Sequence, residues 1–196
     1  MKTTLEKAEF KQQIDLRIHE TIETLENVKD CYGEIEKTAN LIIDAFKNGN
    51  KLIICGNGGS ASDALHIAAE FVGKFYKIDR PGLPAIALSA NIASITAIAN
   101  DFGYDLTFKR GVEAFGQDGD IFWGISTSGN SKNILEAISM AKTKGMSVIS
   151  LTGETGGEMA KISDITIKIK SKNTPVIQNA HITVSHIICE LVESQF

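Results

Sequence analysis

The chain has no apolar run approaching the roughly 20 residues that a membrane-spanning helix needs. Its opening MKTTLEKAEF carries no apolar signal segment, so a cytoplasmic protein is expected. Cysteine is scarce: Cys31, Cys55 and Cys189 are odd in number and lack C-x-x-C spacing. That argues against a disulfide framework and a zinc ribbon, and buried free thiols are expected instead. No excess of one charge is present either. The 20 Lys and Arg against 24 Asp and Glu leave a net charge of -4, scattered along the chain. Neither a nucleic acid nor an anionic membrane finds an electrostatic footprint there, and any bound phosphate must be held by local geometry. Internal repeats, low-complexity segments and linkers are absent. What remains is 196 residues, 43% hydrophobic, enough for one sizeable core. A single domain over 1–196 is expected, with a helical segment at 1–49 and an α/β core at 50–196.

The chain is organised around KLIICGNGGSASDALHIAAE, Lys51 to Glu70. Leu52, Ile53 and Ile54 read as a strand buried on both faces, followed by a turn through Gly56, Asn57, Gly58 and Gly59 and a helix capped by Ser60 or Ser62. Such a turn frees backbone N–H groups at a helix start, where a phosphate or carboxylate is favoured. Gly56, Gly58 and Ala61 also fit the loose dinucleotide pattern G-x-G-x-x-G/A. The acidic residue that should close the second strand is missing, for Ser89, Ala90 and Asn91 stand there.

Before this stretch, an amphipathic helix is expected from Thr4 to about Asn27, and another from Tyr32 to Lys47, stopped by Asn48, Gly49 and Asn50. Two helices exceed what a small sheet needs, so their apolar stripes point to a homo-oligomer. Further strands are expected at Ala85–Leu88, Asp120–Ile125, Ser147–Leu151 and Asp164–Ile169. Helices are expected near Ile92–Ala99, Thr107–Phe115 and Asn133–Lys144. The pattern predicts an α/β, three-layer αβα sandwich on a five-stranded parallel sheet, preceded by two N-terminal helices. Ligands of such sheets sit off the carboxyl ends of the strands.

Three further segments carry chemistry. Ser126-Thr127-Ser128-Gly129-Asn130-Ser131 precedes a helix, and its hydroxyls and free N–H groups suit a phosphate monoester. It lacks the Gly-Lys-Ser/Thr ending of a Walker A loop, which argues against nucleotide hydrolysis. Asn100-Asp101-Phe102-Gly103 falls on the ligand side, which makes Asp101 a candidate for substrate hydroxyls. The last helix holds Gln178, His181 and His186; with His66 and Glu70, four apart on one helix face, they form the mixed N/O set that a divalent metal such as zinc accepts. Gln178 and His186 lie roughly 12 Å apart along one regular helix. Either that helix begins after Gln178, or the ligands come from two subunits.

In order, CGNGGSASDALHIAAEF, LPAIALS, ND-FGY, GISTSGNS, SLTGETGG and IQNAHITVSHIICELVE resemble the phosphoheptose isomerases, members of the sugar isomerase (SIS) fold family, which is flavodoxin-like. The resemblance implies a homotetramer with active sites between subunits, interconverting sedoheptulose 7-phosphate and D-glycero-D-manno-heptose 7-phosphate, as precursors for bacterial surface polysaccharides such as lipopolysaccharide. It implies one zinc per subunit, held by His66, Glu70, Gln178 and His186. It also implies that substrate meets Asn57, Gly58, Gly59, Ser60, Glu70, Asn100, Asp101, Ser126, Thr127, Ser128, Ser131 and Gln178. Glu70 and His186 would share the proton transfers through an enediol, a carboxylate suiting the carbon step and an imidazole the oxygen step. Lys74, Asn179 and Pro175 depart from the family pattern. The alternative is a non-catalytic relative of the same fold that binds a replication initiator protein. Such relatives lack the final His or the Ser of the glycine loop, whereas Ser60 and His186 are both present here.

Overall fold

The structure, a computed structural model, describes residues 7–196. Helix α1 spans Lys7–Glu26 and passes through a 3-10 turn into α2, Tyr32–Lys47; the expected start of the first helix at Thr4 lies outside the described residues. Gly49, at φ +79°, ends α2 where the Asn-Gly-Asn signal sits. The alternation that follows is β1 (Leu52–Gly56), α3 (Gly59–Val72), β2 (Ala85–Ala87), α4 (Ile92–Phe102), α5 (Thr107–Phe115), β3 (Ile121–Ser126), α6 (Lys132–Thr143), β4 (Ser147–Gly153), α7 (Met159–Ile162), β5 (Ile165–Ile169) and α8 (Thr174–Glu193).

The five strands pair in parallel in the order β2-β1-β3-β4-β5, with Ile54 opposite Trp123 and Ile125 opposite Leu151. Every residue of β1 and β3 is buried, as expected of central strands covered on both faces. One face packs Leu52, Ile54, Trp123 and Leu151 against α2, α3 and α8. The other packs Ile53, Phe122 and Val148 against α5 and α6. Trp123, Phe71 and Phe122 are the largest fully buried side chains, and truncating one to Ala costs about 3–5 kcal/mol. All three cysteines are buried and free.

Two local expectations are corrected. Neither Ser60 nor Ser62 caps α3: the cap position is Gly58, at φ +57° and ψ −122°, a conformation open to glycine only. The second strand ends at Ala87 instead of Leu88, which enters a 3-10 turn and packs into the core below it. Helix α8 begins at Thr174 with Pro175 in its first turn. A helix starting after Gln178 is thereby ruled out, since proline is tolerated at a helix start.

Candidate functional site

The strand order reverses direction between β1 and β3, and the glycine turn and the hydroxyl loop leave the carboxyl ends of those two strands. That is the switch point where open parallel sheets take their ligands. Gly59 opens α3 hard against α8: a Cβ there would fall 2.4 Å from Gln178 Nε2. Across the crevice, Ser126 Oγ lies 2.9 Å from Ser131 Oγ and 3.3 Å from Ser128 Oγ. Ser128 Oγ also accepts from the backbone N–H of Asn130 at 3.1 Å. The loop is thus folded around its own hydroxyls at the start of α6, the arrangement that presents N–H and O–H donors to an anion.

One helical turn and more beyond Gly59, His66 Nε2 lies 3.0 Å from Glu70 Oε1 and 3.4 Å from His186 Nε2. The ligand atoms of these three residues fall within 4.8 Å of one another, and two imidazoles with one carboxylate suit a divalent metal such as zinc. Burial, and then the neighbouring His66, lowers the His186 pKa against the pull of Glu70. The Phe75 ring stacks beside His186 at 5.6 Å. Gln178 and His186 sit eight residues apart on one helix, so Gln178 faces Gly59 while His186 faces His66. Asn100 and Asp101 lie exposed at the end of α4, Asn100 Nδ2 donating to Asp101 Oδ1 at 2.8 Å.

His181 is fully buried. Its Nε2 is 3.1 Å from the Thr152 carbonyl, its Nδ1 has no partner, and burial pushes its pKa down to about 4. It is a neutral core histidine packed under β4.

Four residues that sequence reasoning passed over belong to this region. Asp63 lies on the α3 face of His66 and Glu70, at spacings of three and seven that could have revealed it. One of its carboxyl oxygens is buried without a partner, and burial raises its pKa to about 6, against the pull of His66. Lys172 lines a cavity of about 230 Å³ with Thr127, Ser128 and Thr174, which puts a cation beside a loop expected to be neutral. Asn133 and Tyr104 both hydrogen-bond Asn57, a pairing that no local spacing encodes. A roomier cavity, about 730 Å³, runs along the β5 edge past Asp30, Glu34 and Lys170. Loop chemistry, not cavity size, locates the site.

The SIS domain model matches residues 17–153. The chain is 55% identical over 159 residues to the phosphoheptose isomerase of Aneurinibacillus thermoaerophilus, covering 81% of this chain and 80% of that one. With the phosphoheptose isomerase of Sulfurimonas denitrificans it shares 47% over 188 residues, covering 95% and 94%. The solved phosphoheptose isomerase of Neisseria gonorrhoeae superposes with a TM-score of 0.89 at 35% identity, covering 94% of this chain and 99% of the other.

Proposed function

The chain belongs to the SIS domain family and, within it, to the phosphoheptose isomerases, and from this we propose that it interconverts sedoheptulose 7-phosphate and D-glycero-D-manno-heptose 7-phosphate. Its place is in the cytoplasmic supply of heptose for surface polysaccharide. The observation that carries the reading is the His66, Glu70 and His186 trio in a chain whose hydroxyl loop, at the start of α6, suits a phosphate monoester. Nothing in the comparisons favours the binding-protein alternative.

The phosphate rests on Ser126, Thr127, Ser128 and Ser131, and the sugar extends toward Asn57, Gly58, Gly59, Ser60 and Gln178. Asn100 and Asp101 meet its hydroxyls. Glu70 removes the proton from the carbon beside the ketose carbonyl and returns it to the former carbonyl carbon. His186, whose lowered pKa favours the neutral ring, accepts a proton from one oxygen and delivers it to the other. A divalent ion on His66, Glu70 and His186, one zinc per subunit, would polarise the sugar oxygens. Because Glu70 and His186 serve both roles, such an ion would compete with their proton transfers.

We assign all 196 residues to one SIS domain, with 1–49 as an oligomerisation segment and a homotetramer as the assembly. Phe10, Ile14, Leu16, Ile18 and Ile22 are about half exposed on α1, and α4 buries none of its residues in the single chain. Apolar surface of this extent supports cover by further copies. No helix of the described residues is long and apolar enough to cross a membrane. The test is consumption of sedoheptulose 7-phosphate by the purified protein with appearance of the aldose. No turnover, with or without added zinc, would sink the reading.

A further inference from the structure

A closed ring of hydrogen bonds joins the glycine turn, the link between α4 and α5, and the start of α6. The buried Thr107 hydroxyl donates to the Tyr104 carbonyl at 2.8 Å, so its oxygen is left only to accept. That requirement orients the amide of buried Asn133, whose Nδ2 faces Thr107 Oγ1 at 3.3 Å and also donates to Asn57 Oδ1 at 2.9 Å. Asn57 Nδ2 donates back to Asn133 Oδ1 at 2.9 Å. The Tyr104 phenol closes the ring by donating to Asn57 Oδ1 at 2.8 Å. Turning the two amides over would set Asn133 Oδ1 against the Thr107 oxygen, or leave the Tyr104 carbonyl without its donor.

Both lone pairs of Asn57 Oδ1 are taken, and one of its two Nδ2 hydrogens is used; a single N–H remains. Resting on the isomerase reading, we propose that Asn133, Thr107 and Tyr104 are positioning residues that lock Asn57 as a donor-only group in the sugar-phosphate site. Asn57 then reads a substrate oxygen acceptor, a carbonyl, alkoxide or phosphate oxygen, and is unable to accept from a hydroxyl.

The test is Asn133→Asp. Ionised, the new carboxylate keeps the shape but sets an oxygen against Asn57 Oδ1; turning Asn57 over only moves that clash to the other carboxylate oxygen, so the pair opens and Asn57 is released. Protonated at lower pH, its O–H replaces the lost donor. Relative to the wild type, kcat/KM is expected to fall on the order of 10-fold to 10²-fold at neutral and higher pH, the scale of a misplaced site group, and to recover as the pH is lowered. A merely structural role would not give a pH-dependent ratio. Tyr104 is 55% exposed, so Tyr104→Phe leaves the fold intact; it frees one Asn57 lone pair and is expected to lower kcat/KM roughly twofold to tenfold. Whether the Asn57 amide stays paired with position 133 in high-resolution crystals of wild type and Asn133→Asp at neutral pH is a readout that needs no turnover. An inactive wild type would therefore defeat the isomerase reading without touching the ring. A flat ratio across pH, wild-type kcat/KM in Tyr104→Phe, or an Asn57 amide that stays paired in Asn133→Asp at neutral pH would each overturn the proposal.

Discussion

Glu70 and His186 sit across from each other, with His66 between them at 3.0 and 3.4 Å, close enough for both to reach one sugar carbon and its oxygen. Glu70→Gln keeps the shape and removes the base, and His186→Ala removes the oxygen-side carrier. Each is expected to cut kcat by about 10²-fold or more with substrate still bound, the usual scale of acid–base catalysis. Near-normal turnover in either variant moves the proton role to Asp101, since His181 is sealed in the core. His181 has its own signature in stability. Its folded pKa of about 4 lies below the ordinary 6.5, so the unfolded chain binds the extra proton first as acid is added. The stabilisation is complete above about pH 6.5 and is lost as pH falls toward 4, by about 3 kcal/mol in all. Urea melts at pH 7 and pH 4.5 should show that slope in wild type and a shallower one in His181→Gln; equal slopes would refute it. What the sequence concealed at this scale is long-range pairing: Asn57 meets Tyr104 and Asn133 from 47 and 76 positions away.

Elements whose ends carry strong stop signals were legible. Helix α2 runs over the expected Tyr32–Lys47 because Gly49 adopts a left-handed turn, and α5 spans the expected Thr107–Phe115. The start of α3 was misread because a serine signal and a glycine conformation competed, and the glycine won. The hydroxyl loop was legible as a composition. If it holds the phosphate, Ser128→Ala with Ser131→Ala should raise KM about tenfold or more through two lost bonds to a charged group; an unchanged KM would remove the loop from that role. A second clamp was not legible. Buried Arg80 donates to Glu193 at 2.7 Å and to the Glu70 and Phe71 carbonyls at 2.6 and 2.9 Å. Burial alone would raise the Glu193 carboxyl, but the N–H groups of Tyr76 and Phe75, with Arg80, hold it down to about 2. The pair thus fixes the end of α3 that carries Glu70 and the segment that sets Phe75 beside His186. Arg80→Met leaves Glu193 buried without its cation and should cost about 3–5 kcal/mol, read as a lower urea midpoint. A midpoint within experimental error of wild type would show the clamp to be idle.

At the scale of the whole molecule, the question is whether one chain can hold all four proposed metal ligands. The trio on α3 and α8 is assembled within a single copy, yet Gln178 lies two helical turns from His186 on an unbroken α8, roughly 12 Å along its axis. Side chains bound to zinc at bond lengths near 2 Å do not span that gap. If Gln178 is a metal ligand, it acts on the site of another copy. The half-exposed apolar faces of α1 and α4 supply the surface for such an assembly. Complementation decides the matter. Glu70→Gln and Gln178→Ala, each inactive alone, are unfolded together, refolded as mixed oligomers and assayed. Where a site draws Glu70 from one chain and Gln178 from another, random pairing makes about a quarter of sites intact, and activity should return to that fraction of wild type. Where both residues serve the site of their own chain, every site keeps one defect and mixing restores nothing. Light scattering on the same samples sets the frame: a monomer at micromolar concentration with activity retained would remove the shared site altogether.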